Sequence, residues 1–96
     1  MDKELLATEL RTYVQERFLD VDSTEQLTLT SPLLEWGILT SMNTAILLTH
    51  IREQYGVQVP PQDVTGHNLG TIDALATLLN RLLAAQRMES LEAETA

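Results

Sequence analysis

The fold class this 96-residue sequence predicts is all-α: a small four-helix bundle of three main helices and one short one, with a long first loop. Three observations predict it. Apolar residues recur at helical spacing in three separate stretches. The only strand-like alternation is three residues long, Val57-Gln58-Val59. The core material is aliphatic: 44% of residues are hydrophobic, but the aromatic bulk is one Trp, two Tyr and one Phe.

The first helix is expected from about residue 3 to 19, where Leu6, Leu10, Val14 and Phe18 recur at i+4 and Leu5 and Tyr13 widen the stripe. Residues 20–40 hold no helical period. They open on the turn formers Asp20, Asp22, Ser23 and Thr24, then run through Leu27, Leu29, Leu33, Leu34, Trp36, Ile38 and Leu39. So apolar a loop is expected to fold back over the helices. The second helix is expected from Ser41 to about Tyr55, with Gly56 as its stop. Pro60 and Pro61 forbid a continuous helix, and Pro61 opens at most one short turn over Gln62 to Thr65. A last helix is expected from near Thr71 to about Gln86, carrying Ile72, Leu75, Leu78, Leu79, Leu82 and Leu83. Residues 1–86 then form one domain, and residues 87–96 an acidic, flexible tail.

Composition narrows the function. The formal net charge is −8. The tail "ESLEAETA" contributes Glu89, Glu92 and Glu94 and no base, leaving 6 bases against 11 acids in the rest. An acidic surface repels nucleic acid and anionic lipid and suits basic protein partners, although such charge also simply keeps a small protein soluble. The N-terminus "MDKELLATEL" is charged and has no apolar signal region, and no run approaches the ~20 apolar residues of a membrane helix. A cytoplasmic monomer is the expectation. With no Cys there is no disulfide framework and no thiolate metal site.

No catalytic site stands out. The Asp20-x-Asp22-x-Thr24 start has the look of a calcium loop, but the sharp-turn Gly is missing and Ser31 stands where the bidentate Glu belongs. Ser41 has no G-x-S-x-G elbow. His50 and His67 share no ligand spacing, and structural or solvated histidines are the simpler reading.

Ser41 has two readings. A hydroxyl at a helix start is an ordinary cap. It is also a good place for an added phosphodiester, since the first turn offers N–H groups and the positive end of the helix dipole, with Thr40 able to cap instead. The wider pattern favours the second reading. "SPLLEWGILTSMNTAILLTHIREQYGVQVP" followed by "NLGTIDALATLL" resembles the acyl and peptidyl carrier proteins. Gly37, Ser41, Tyr55, Gly56, Val57, Val59, Pro60, Leu69, Thr71 and Ile72 fall on that family's frame, over roughly residues 3–84. Two positions depart from it: Thr40 stands where an Asp is usual before the serine, and Met42 where Leu is usual after it.

The resemblance implies that Ser41 receives 4′-phosphopantetheine from a phosphopantetheinyl transferase using coenzyme A. The thiol of that arm would hold an acyl or aminoacyl group as a thioester. An adenylating or acyltransferase enzyme would load it, and a downstream synthase or tailoring enzymes would receive it. The protein itself would catalyse nothing. A discrete carrier of polyketide or nonribosomal peptide type is the leading expectation. A housekeeping fatty-acid or D-alanyl carrier and a cofactor-free helical adaptor are the alternatives. The expected docking surface is Met42, Ala45, Ile46 and Thr49 on the second helix, with Thr40 and Trp36 beside it. Two positions keep a second reading here: Met42 and Ile46 as packing under the first loop, and Trp36 as a loop anchor.

Overall fold

The computed structural model describes residues 2–19 and 27–95, so the expected turn at Asp20, Asp22, Ser23 and Thr24 lies outside the described residues. Helix α1 runs Lys3–Phe18, with Asp2 as N-cap accepting from the Glu4 N–H. Helix α2 runs Ser41–Tyr55. A single 3-10 turn follows at Pro61–Asp63, then the four-residue α3 at Gly66–Leu69 and the long α4 at Ile72–Thr95. Among the described residues there is no strand; Val57 is buried in the core and Val59 packs against it.

Four expectations need correction. The short turn opened by Pro61 forms, but as a 3-10 turn ending at Asp63 rather than reaching Thr65. Thr65 instead caps α3, its Oγ1 accepting from the Asn68 N–H at 3.2 Å. One turn of helix is too short to show a period, so capping chemistry was its only signal. Helix α4 continues nine residues beyond Gln86. Ala84, Ala85, Gln86, Met88, Glu89, Leu91 and Glu92 are good helix formers, and no Gly or Pro interrupts them. Leu5, read as part of the core stripe, is 49% exposed, while Ala7 takes the buried place. Trp36, read as a possible loop anchor, is 50% exposed.

The core joins Leu6, Leu10 and Val14 of α1, Leu47 and Ile51 of α2, and Ile72, Leu75 and Leu79 of α4. Each such side chain contributes roughly 1.5–3 kcal/mol on burial. The long first loop supplies Leu27, Leu33, Ile38 and Leu39 to the same core. Its backbone is pinned to the start of α4. The Leu33 N–H donates to Gly70 O at 2.8 Å, and the Asp73 N–H donates to Leu29 O at 2.9 Å. No described helix is long and apolar enough to cross a membrane.

Candidate functional site

The start of α2 is assembled by the loop before it. The Leu33 carbonyl accepts from both the Ile38 and Leu39 N–H groups, at 3.0 and 3.1 Å. The intervening turn reverses at Gly37, whose φ of 70° lies in the left-handed region that residues with a Cβ rarely adopt. Ile38 and Leu39 are buried, so the two residues before the cap are anchored in the core.

Thr40 then caps α2. Its Oγ1 accepts from the Asn43 N–H at 3.2 Å, and its carbonyl accepts from the Thr44 N–H at 2.8 Å. The capping role open to Ser41 therefore belongs to Thr40. Ser41 is the first helical residue and is exposed. Its hydroxyl stands at the positive end of the helix dipole, on a turn whose leading N–H groups have no partner inside the helix. An anionic phosphodiester fits there: the hydroxyl is accessible, and the first turn of α2 carries no acidic side chain to repel the charge. Thr40→Ala is expected to cost about 1 kcal/mol, seen as a lower melting temperature, with Thr40→Asp restoring it. An alanine variant as stable as wild type would remove the cap from the account.

The structure also places the expected docking residues. Met42, next to Ser41, is 74% exposed, and Ala45 and Thr49 are exposed one and two turns on. Ile46 is half-buried and lines a groove of about 400 Å³ together with Tyr13 of α1 and His50. Trp36 is exposed in the turn just before Gly37.

Two polar pairs lock α1 to α2 beside that groove. The rings of Tyr13 and His50 stack at 3.6 Å with planes 6° apart. Burial lowers the His50 pKa, against the raising pull of Glu53 and Glu9. The Tyr55 hydroxyl donates to Glu9 Oε2 at 2.7 Å, and burial, followed by that bond to a carboxylate, pushes its pKa up. His50 is thus a structural residue, and His67 lies exposed in α3. Among the described residues, no group of three His, Cys, Asp or Glu side chains is placed to hold a metal ion.

One residue of the site escaped the sequence reading. The Asn43 side-chain amide donates to Ile38 O at 2.8 Å, bridging from the first turn of α2 back to the buried end of the loop.

The model of the family described as a phosphopantetheine attachment site matches residues 8–79. A crystal structure of an FAD-dependent dehydrogenase contains a chain 34% identical to this one. The match covers 74% of this chain and 99% of that one, with a TM-score of 0.69. A second similar structure is a Bradyrhizobium japonicum glycine:[carrier protein] ligase complexed with glycylated carrier protein. The match there is 18% identical over 79% of this chain and 96% of that one, with a TM-score of 0.58, and it shows a shared fold. No curated protein matches.

Proposed function

Since this chain belongs to the phosphopantetheine attachment-site family, we propose that Ser41 bears the arm and that the protein is an acyl or aminoacyl carrier of polyketide or nonribosomal peptide biosynthesis. The family attaches 4′-phosphopantetheine covalently, so the protein is a carrier and not an enzyme. The observation that carries the assignment to Ser41 is an exposed hydroxyl at the first helical position of α2, inside the matched segment and free of capping duty. In the attachment step the Ser41 oxygen takes the place of the adenosine 3′,5′-bisphosphate leaving group on the pantetheine phosphorus of coenzyme A, and the hydroxyl proton leaves. The arm then supplies the thiol that this cysteine-free chain lacks. Intact mass of the purified chain after incubation with coenzyme A and a broad-specificity phosphopantetheinyl transferase tests the reading. One added phosphopantetheine is expected, and no added mass would overturn it.

The partners in this reading are the transferase, an adenylating or acyltransferase loading enzyme, and downstream synthase or tailoring enzymes, acting on a cytoplasmic monomer. The dehydrogenase structure supports a redox tailoring partner: 74% of this chain spans 99% of the matched one, so the matched chain is itself of carrier size.

Met42, Ala45, Ile46 and Thr49, with Thr40 and Trp36, form the proposed docking surface. The support is the exposure of Met42, Ala45, Thr49, Thr40 and Trp36 around Ser41, with Ile46 half-buried in the groove beside them, and the lack of any acid in the first turn of α2. Met42→Glu is expected to leave the melting temperature within about ±0.5 kcal/mol of wild type in stability terms, because the side chain lies in solvent. It should nevertheless slow loading by the cognate enzyme, because it puts a charge into an apolar contact. Normal loading of this variant would remove Met42 from the interface. Ile46→Glu extends the test into the groove, where a large fall in melting temperature would mark Ile46 as packing rather than docking.

A further inference from the structure

Helices α2 and α3 begin with the same device. At α2, Thr40 Oγ1 accepts from the Asn43 N–H at 3.2 Å, and the Asn43 amide donates to Ile38 O at 2.8 Å. At α3, Thr65 Oγ1 accepts from the Asn68 N–H at 3.2 Å, and the Asn68 amide donates to Asp63 O at 2.9 Å. In both, a threonine cap holds the third residue of the helix. That residue's asparagine reaches back to the carbonyl two residues before the cap. Of the residues they enclose, the first helical one is Ser41 in α2 and Gly66 in α3.

We propose that Asn43 is a positioning residue for arm attachment, its clasp on Ile38 O fixing the turn that presents the Ser41 hydroxyl. This rests on Ser41 being the attachment residue. The bond from Asn43 to Ile38 closes a ring of backbone containing Leu39, Thr40, Ser41 and Met42. Ile38 and Leu39 are seated in the core, so the closed ring ties an otherwise exposed first turn to the rigid part of the fold. Helix ends fray, and their leading N–H groups gain little from the helix itself. A transferase must bring the serine oxygen into line with a phosphorus atom, and a misplacement of about 1 Å can cost ~10²-fold in rate. Positioning of the reacting oxygen acts in the transition state, so its loss appears in kcat rather than in KM.

Asp is the informative replacement. It nearly matches Asn in shape, and a carboxylate in the first turn favours the helix dipole, so Asn43→Asp keeps α2 stable. As a carboxylate it has no N–H to give to Ile38 O. The second clasp supplies the control: Asn68→Ala removes an equivalent pair of bonds from a helix start that carries no serine. The experiment is steady-state kinetics of arm attachment to the full chain with coenzyme A and a broad-specificity transferase, beside thermal melts. Wild type, Ser41→Ala, Asn43→Ala, Asn43→Asp and Asn68→Ala are compared. The Asn43 variants are expected to lose roughly tenfold or more in kcat with KM little changed, while Asn68→Ala keeps the wild-type kcat. Asn43→Asp also places an acid in a first turn that otherwise carries none, so the neutral Asn43→Leu, which likewise has no N–H to give, is measured beside it and decides if Asn43→Ala fails to fold. Wild-type kcat in Asn43→Asp or Asn43→Leu overturns the proposal. So does an effect confined to KM, or an equal kcat loss in Asn68→Ala. Modification of Ser41→Ala would instead sink the attachment assignment, a failure separate from these.

Discussion

Ser41→Ala is expected to abolish the mass gained from coenzyme A and transferase while leaving the helical circular dichroism of the domain intact. The expectation of complete loss rests on chemistry. The phosphodiester needs a hydroxyl oxygen, and alanine has none. The expectation of an intact fold rests on geometry. Ser41 is exposed, and the bond that starts α2 is made by Thr40 Oγ1 to the Asn43 N–H. Removing a solvent-facing hydroxyl outside that bond is a surface change worth within about ±0.5 kcal/mol. The two halves fail in different ways. Undiminished modification of the variant would move the arm to another residue, with Thr40 the first to test. A stable variant that gains no mass, set beside a wild type that gains one arm, establishes the site. A collapse of the helical signal would show that Ser41 helps hold the turn.

Leu33→Ala is expected to be among the most destabilising substitutions in the chain although Leu33 lies in a loop. Its side chain is fully buried, and truncating a buried leucine costs about 2–5 kcal/mol. For a domain of this size each 1 kcal/mol lowers the melting temperature by roughly 4–8 °C. A fall of the order of 10 °C or more is therefore expected. Leu34→Ala and Trp36→Ala, at side chains 41% and 50% exposed, are expected to change stability far less. The contrast tests whether the loop is a structural part of the bundle. Three melts with equal small shifts would show that it is only a connector. Function follows from the same residue: the Leu33 carbonyl holds the Ile38 and Leu39 N–H groups, the two residues that lead into Thr40 and Ser41. A loosened Leu33 should slow arm attachment as well as destabilise the fold.

Much of the site was legible in the residues because its chemistry is local. The cap Thr40 and the stop Gly56, with its φ of 68°, bound α2 where the sequence reading put it. Gly37 and Ser41 fell on the carrier frame, and both lie within residues 8–79, which the family model matches. The Asn43 clasp was not legible. Thr40-x-x-Asn43 recurs in the letters as Thr65-x-x-Asn68, but also as Thr77-x-x-Asn80 in the middle of α4, so the spacing does not mark a clasp. The acceptor is a backbone carbonyl, and any residue at position 38 offers one. The side taken by Trp36 was equally hidden. Tryptophan suits both an apolar anchor and an exposed contact, so its chemistry gives no vote.

By itself, then, the sequence determined the main helices, their aliphatic faces, the helix-capping hydroxyls and the serine at the start of α2. Each of these depends on spacing or on bonds between residues a few positions apart, and such bonds form wherever the chain goes. The tertiary structure decided which loop residues turn inward. Leu33, Ile38 and Leu39 enter the core, while Leu34 and Trp36 stay in solvent. A loop has no period to sort its side chains into faces. The path is settled instead by what meets it, here Gly70 O, the Asp73 N–H and the space between α1, α2 and α4. The Ile38 carbonyl meets the Asn43 amide only once that path is taken.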